Sequence, residues 1–512
     1  MRARRWLLPA LAGIASVALG LGAAELAAAI IAPTASPVFV VGSLMIDLAP
    51  PWAKETAIAL FGTGDKAALL TGIGIVLLVI AAAAGVLQWW RPPLGRLVIA
   101  AGAIFGVGAA ITRSGAAILD AIPAAVAAIV AVVALGFLLR KAPEVPAAAS
   151  GAKPARSTPG DPTRRSFLGW AGGAAAIGAL AALGGTLLQS GTRAVTAVRD
   201  AFTLPAAAVS APAIPAGAEL GIPGLATVIT PNTEFYRIDT ALQIPRIDPA
   251  TWSVRITGEV ENEIELTWDE LIALPLEESV TTLMCVSNEV GGDLIGTALW
   301  LGYPIREVLK RAKPKSGADM VLSRSIDGFT AGTPLSVLQE EDRNAIFAVG
   351  MNGEALPEEH GFPVRMVVPG LYGYVSATKW VVELEVTRFD RASAYWTDRG
   401  WSAKGPVKIE SRIDVARVDG GTLTVAGVAW HQHTGIAGVE LQIDDGPWMD
   451  AELAEAISLD TWVQWRFRGD VPSGDHTLRV RATGADGRTQ TEDVAGVLPD
   501  GATGYHTVGL TL

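Results

Sequence analysis

The chain has 512 residues, of which 50% are hydrophobic and 18% charged, with a formal net charge of −11 and a single cysteine. That length suggests about three domains, one thiol excludes an internal disulfide, and the acidic total predicts no nucleic-acid partner. The charge is unevenly spread. Residues 1–195 hold 15 Lys and Arg against 7 Asp and Glu, a net of +8, which leaves −19 for the remainder. A basic, Ala/Leu/Val-rich first part joined to an acidic second part predicts a membrane region followed by a water-soluble one.

In the first part, five apolar runs near 6–30, 68–90, 96–112, 122–139 and 168–189 approach or exceed the length of about 20 residues that crosses a bilayer as a helix. Three segments, Arg2 to Arg5, Arg91 to Arg96 and Arg140 to Arg165, hold 11 of the 15 basic residues and fall on one side if five spans alternate. The positive-inside rule makes that side the cytoplasm, so the region after the fifth span is expected outside. Residues 141–162, "KAPEVPAAASGAKPARSTPGDP", read as a flexible linker. Arg164-Arg165 followed by Phe167-Leu168 and an apolar run resembles a twin-arginine export signal placed internally. All five histidines (His360, His431, His433, His476, His506) lie beyond the fifth run, so this chain alone cannot ligate a haem through two histidines in the bilayer. Glu25 lies in the first run, where its place near the outer end favours a solvated or snorkelling carboxylate over a functional intramembrane acid.

In the second part, "WSVRITGEVENEIELTWDEL" predicts a strand, a turn, a second strand and a helix start at "TWDEL". The run "SVTTLM" predicts a buried strand whose end delivers Cys285 to a Gly-rich loop, where Gly291 and Gly292 would let a ligand approach the backbone. A lone thiol there is a buried inert group, a nucleophile, an intermolecular link or a metal ligand, and spacing leaves these open.

Three segments narrow the choice. "LMCVSNEVGGDLIGTALWLGYPI" (283–305), "GEALPEEHGFPVRMVVPGLYGYVSATKWV" (353–381) and "ITPNTEFYRIDTAL" (229–242) occur in the order, and carry the signatures, that resemble the sulfite oxidase family of molybdenum–molybdopterin enzymes. The resemblance implies that Cys285 ligates molybdenum as a thiolate, a soft donor suited to such a centre. It implies that Arg365 and Lys379 hold the cofactor, with His360 in the same motif, Asn232, Tyr236 and Arg237 in the upstream segment, and Ala377 and Thr378 as backbone contacts. The implied activity is two-electron oxygen-atom transfer on a small sulfur oxyanion or S-oxide. Without an evident haem site or cysteine cluster, a separate cytochrome or quinone-linked protein is expected to exchange the electrons.

One departure bears on the substrate. The active-site tyrosine of the sulfite oxidases is replaced here by Val349, in "FAVGMNG", which the protein-methionine-sulfoxide-reductase branch also tolerates. Tyr372 and Tyr374 are the candidates for a replacement hydroxyl. Trp396, Arg399 and Trp401 form either a substrate entrance or an aromatic-packed linker. The last ~100 residues read as short alternating strands and resemble the immunoglobulin-like dimerisation domain that follows the catalytic domain in this family, which implies a homodimer. "HQH" (431–433) is expected to place two imidazoles on one strand face, without an evident third metal ligand. The expected organisation is a membrane region with linker (1–192), a tether (193–224), an α+β molybdopterin-binding domain (225–404) and an immunoglobulin-like β-sandwich (405–512). The rival reading is a membrane-anchored binding protein with a degenerate molybdenum fold.

Overall fold

The computed structural model describes residues 4–32, 35–50, 53, 56, 60–61, 64–113, 116–143, 164–189, 192–419 and 421–511. The expected linker lies outside the described residues from 144 onward. By internal contacts the chain divides into Met1–Ala194 with Thr240–Gln243, and Val195–Asp239 with Ile244–Leu512.

The first unit is helical. Its main helices are α1 (Arg4–Ile31), α2 (Pro37–Leu48), α3 (Asp65–Trp90), α4 (Leu94–Ile111), α5 (Ile122–Arg140) and α6 (Arg164–Gln189). Among the described residues, five segments are long and apolar enough to cross a membrane: Trp6–Ile31, Lys66–Trp90, Leu94–Ile111, Ile118–Arg140 and Arg164–Thr186. They coincide with the five apolar runs. Helix α2 is apolar too, but its 12 residues are too few to span. Helix α1 packs against α3, α5 and α6. The contacts are made at small residues: a Cβ on Gly13 would collide with the Ala81 carbonyl, one on Gly85 with Pro9, and one on Gly22 with Gly178. Such backbone-to-backbone approach is what drives association where surrounding lipid removes any hydrophobic gain. Glu25 departs from expectation. It is 7% exposed and accepts a 2.5 Å hydrogen bond from Ser36 Oγ, because the chain after α1 turns back over it.

The second unit begins its strands with β1 (Ser253–Gly258), β2 (Ile264–Thr267), β3 (Glu277–Met284), β4 (Ile295–Pro304) and β5 (Met320–Ser325). It continues with β6 (Thr330–Pro334), β7 (Ile346–Met351), β8 (Glu354–Ala355), β9 (Arg365–Val367) and β10 (Val381–Thr387). One sheet runs β2-β1-β10-β5-β6; another runs β3-β4-β7-β8, with β9 paired to β7. The helix start at "TWDEL" is helix Trp268–Ile272, closed by a capping box between Thr267 and Glu270. Leu283, Trp300, Ile346, Ala348 and Phe362 fill the core behind β3, β4 and β7.

The C-terminal strands are β11 (Glu410–Asp419), β12 (Thr422–Trp430), β13 (Ile436–Ile443), β14 (Trp448–Asp450), β15 (Glu452–Leu453), β16 (Val463–Asp470), β17 (Asp475–Gly484) and β18 (His506–Thr511). They form two four-stranded antiparallel sheets, β11-β12-β16-β15 and β14-β13-β17-β18. Leu423, Val425 and Trp465 of one and Val439, Leu441 and Val480 of the other share a core. The "HQH" expectation fails here. Strand β12 ends at Trp430, and His433 has φ +59°, which breaks the two-residue alternation that would have aligned the imidazoles. His433 Nδ1 instead lies 3.1 Å from Asp460.

Glu410, the first residue of β11, is 2% exposed, and neither carboxylate oxygen has a hydrogen-bond partner among the described residues. Burial pushes its pKa from an ordinary 4.5 to about 8, with Lys408 opposing. Between those values the folded chain keeps a proton that the unfolded chain has released. Stability therefore falls as pH rises from 4.5 to 8, by up to about 5 kcal/mol. Thermal unfolding of the detergent-solubilised chain is expected to show this loss, and Glu410→Gln to flatten it; an unchanged slope in the variant would refute the assignment.

Candidate functional site

Strand β3 ends at Met284 and hands the chain to Cys285, which is 8% exposed. The following loop closes on itself. Cys285 N–H donates to Leu294 O (2.9 Å), Asn288 N–H donates to Cys285 O (3.1 Å), and Leu294 N–H donates to Asn288 Oδ1 (2.7 Å). The thiol is thus presented from a strand end by a short hydrogen-bonded loop. Burial pushes its pKa up, against lowering hydrogen bonds from Ser287. A thiol held protonated is a poor nucleophile, whereas a metal deprotonates a coordinating thiol outright.

Arg365 opens β9, which is pinned to β7, and is 5% exposed. Its Nη1 donates to His360 O (3.1 Å), its Nε to Met366 O (3.3 Å), and its guanidinium lies 5.0 Å from the Trp300 ring centroid. No carboxylate pairs with it among the described residues. Burial lowers its pKa to about 10, while Tyr236 opposes. Lys379, 9% exposed, donates to Asp239 Oδ2 (2.9 Å) and Glu359 O (3.0 Å), and burial brings its pKa down to about 8 despite Asp239. Arg237 Nε reaches the same Asp239 oxygen at 2.9 Å.

His360 lies between these cations. Burial, then Arg365 and Lys379, lowers its pKa to about 3, so the imidazole is neutral near neutral pH, with Nε2 3.2 Å from Asn232 O. Tyr236 stacks on Phe235, and its hydroxyl makes no hydrogen bond among the described residues. Burial raises its pKa, Cys285 raises it further and Arg365 lowers it, which places the phenol within electrostatic reach of both. Cys285, Tyr236, Arg365, His360, Lys379 and Arg237 are therefore linked in one region.

The other expected residues are placed differently. Asn232 is turned toward the β7–β8 hairpin, donating to Glu354 Oε1 (2.5 Å) and accepting from Asn352 Nδ2 (2.8 Å). Thr378 faces the core, with Oγ1 2.7 Å from Ser323 Oγ, and its carbonyl accepts from Met366 N–H at 2.9 Å. Ala377 N–H donates to Gly373 O. Val349 is fully buried. Tyr374 OH donates to Ser402 O (2.7 Å) and Tyr372 OH accepts from Lys408 N–H (3.4 Å), so both candidate replacement hydroxyls are engaged elsewhere. Trp396 packs edge-on to Tyr395 and Trp401, Trp401 meets Tyr374, and Arg399 lies over Tyr395, so these side chains stack on one another.

Sequence reasoning passed over Asp239, Trp300 and Asn288. Asp239 was signalled by standing two residues after Arg237. Trp300 and Asn288 lay inside quoted motifs, but only the fold shows that one underlies Arg365 and the other clasps the Cys285 loop.

A buried guanidinium without a carboxylate is costly unless a ligand supplies the anion. Arg365 and Lys379 suit a phosphate-bearing group, and Cys285 suits a soft metal. The residues present fit a molybdenum–pterin cofactor.

Residues 241–396 match the family described as the oxidoreductase molybdopterin binding domain. Mitochondrial sulfite oxidase of Mus musculus is 28% identical over 308 residues, covering 50% of this chain and 56% of that protein. Sulfite oxidase of Arabidopsis thaliana is 26% identical over 335 residues, covering 53% of this chain and 85% of that protein. Among solved structures, the sulfane dehydrogenase SoxCD of Paracoccus pantotrophus covers 56% of this chain and 82% of that one, at 20% identity and a TM-score of 0.48. The chain spans about half the length of the mammalian relatives it matches.

If Arg365 is buried to receive an anion, Arg365→Met should separate folding from loading. The variant is expected to unfold at the same or a higher temperature in cofactor-free form, because a desolvated charge is removed. Pterin co-purifying with it should fall at least about tenfold, the loss of one buried charge-assisted hydrogen bond. Retained pterin content, measured by fluorescence after oxidation, would count against the role.

Proposed function

The domain at residues 241–396 belongs to the sulfite oxidase family of molybdenum–molybdopterin oxidoreductases, and from that premise we propose that the whole chain is a membrane-anchored enzyme of oxygen-atom transfer. The observation that carries this reading is a buried Cys285, whose thiol burial holds against ionisation, together with a buried Arg365 that has no carboxylate partner among the described residues. Cys285 would ligate the metal, and Arg365, Lys379, His360, Arg237 and Tyr236 would hold the pterin, with the backbone of Ala377 and Thr378 beside them. Asn232 supports this group by bracing the Asn352-Gly353 turn and by offering its carbonyl to His360. The bound group supplies two-electron oxygen-atom transfer; the chain supplies grip, charge and exclusion of water.

The substrate class is a small sulfur oxyanion or an S-oxide. Val349 favours the S-oxide reading, close to the protein-methionine-sulfoxide reductases, because it stands in the sequence where the sulfite oxidases carry a phenol that can bind an oxyanion, and the hydroxyls of Tyr372 and Tyr374 are engaged elsewhere. The five apolar helices are read as membrane spans with the N-terminus in the cytoplasm, on the strength of the basic segments that flank them. On that topology the catalytic domain lies on the extracytoplasmic side, and the Arg164-Arg165 segment is read as the export signal for a domain folded around its cofactor. The C-terminal pair of sheets is read as an immunoglobulin-like sandwich of the homodimerising kind, and a cytochrome or quinone-linked protein as the electron partner.

Metal analysis tests the core of this reading. Chain purified in detergent from a cofactor-competent host is expected to carry about one molybdenum per molecule, and Cys285→Ser to lose the metal or its turnover. Absence of molybdenum from the unaltered chain would favour a non-catalytic binding protein. With the metal present, faster reoxidation of the reduced chain by methionine sulfoxide than faster reduction of the oxidised chain by sulfite is the outcome expected from Val349.

A further inference from the structure

The Gly291-Gly292 pair in the Cys285 loop is not open to a ligand. Gly291, at φ +79°, lies against the His506 ring, so that a Cβ there would collide with the imidazole. His506 stands at the start of β18, and its Nδ1 accepts a 2.9 Å hydrogen bond from Ile413 N–H on β11, which leaves the proton on Nε2. Next to it, Arg412 Nη1 donates to Gly292 O at 2.8 Å. Arg412 is itself fixed: its Nε reaches Asp414 Oδ1 at 2.5 Å and its guanidinium lies 5.9 Å from the Trp462 ring. The strand leading into the loop is held from the same side, since Trp462 N–H donates to Thr282 Oγ1 (2.9 Å) and Thr282 N–H to Asp460 O (2.9 Å).

We propose that the C-terminal sheets clamp the Cys285 loop, and that Arg412 and His506 are positioning residues that fix the thiol for its ligand. The proposal takes Cys285 as the metal ligand. Arg412 acts on the carbonyl at the loop's tip, His506 closes the space above Gly291, and the internal bonds of Asn288 pass that restraint back to Cys285. Neither residue reaches the thiol itself. This gives the β-rich region a part in the site, and it explains the two glycines by close packing of protein on protein.

Cys285 is the only cysteine in the chain, so a thiol reagent reads the loop directly and needs no cofactor. Chain prepared without pterin is expected to react slowly with a small aromatic disulfide. Arg412→Gln should react at least about tenfold faster, the loss of a charge-assisted hydrogen bond to a loop that otherwise opens seldom. Arg412→Lys should recover part of the protection, because an ammonium can still donate to Gly292 O. Arg466→Ala, which removes an exposed pair with Glu452, should leave the rate unchanged. Unfolding temperatures within a few degrees of one another show that the rates report the loop and not the fold. A wild-type rate in Arg412→Gln overturns the proposal. Should that variant not fold, a rate in His506→Gln equal to wild type does the same. Because the assay uses pterin-free protein, its failure is distinct from a failure to find molybdenum.

Discussion

Arg365 sets the constraint around which the site is arranged. A guanidinium 5% exposed must meet an anion or pay several kcal/mol in desolvation, and here the described residues offer it two carbonyl oxygens and the face of Trp300. Lys379 beside it is already matched by Asp239, so the two cations are not equivalent. One is neutralised in advance and the other waits. His360, held uncharged by burial and then by both cations, adds a hydrogen-bonding ring without adding repulsion. An anion bound under the proposed function would meet its unmatched charge at Arg365.

The same logic governs the sulfur. Cys285 is buried enough that its thiol resists ionisation, and no described group nearby serves it as a base; Tyr236, the titratable neighbour, is itself pushed away from ionisation by burial. A nucleophile needs the opposite environment. A metal ligand does not, because the ion supplies the driving force for proton loss. Of the four roles the sequence left open for this residue, the environment disfavours the nucleophile, and burial disfavours the intermolecular link.

How much of this was legible in the sequence differs by the range of the contact. The apolar runs became helices within a few residues, because twenty apolar side chains admit little else, and "SVTTLM" and "TWDEL" became a strand and a capped helix from local pattern alone. The HGFPVR and Lys-Trp segments singled out Arg365 and Lys379, which lie within charge reach of each other and of His360. What failed depended on chain arriving from afar. Glu25 was judged from its place in a helix, yet Ser36 folds back to bury it. The two histidines of "HQH" were judged by strand alternation, yet His433 adopts a left-handed conformation. For Asn232, which its segment assigned to the cofactor, the segment did not show that its amide bonds Asn352 and Glu354 while its carbonyl meets His360. Gly291-Gly292 was judged as space for a ligand, yet β11 and β18, more than a hundred residues later, fill it.

That last case carries a general point about reading glycines near a reactive residue. A missing Cβ records that something comes close, not what comes close. Around Cys285 the candidates were a cofactor and another part of the chain, and pattern alone could not rank them, since both demand the same two residues. The ranking comes from direction. The His506 ring and the Arg412 guanidinium approach the loop at its tip, six and seven residues beyond the thiol, whereas the thiol itself is within charge reach of Tyr236, which is in turn within reach of Arg365. The loop therefore has a protein-facing end and a ligand-facing end, and the glycines belong to the first. A substitution at Gly291 would act on the site through packing, while one at Arg365 would act through charge, and the two would be separable by whether the empty protein feels them.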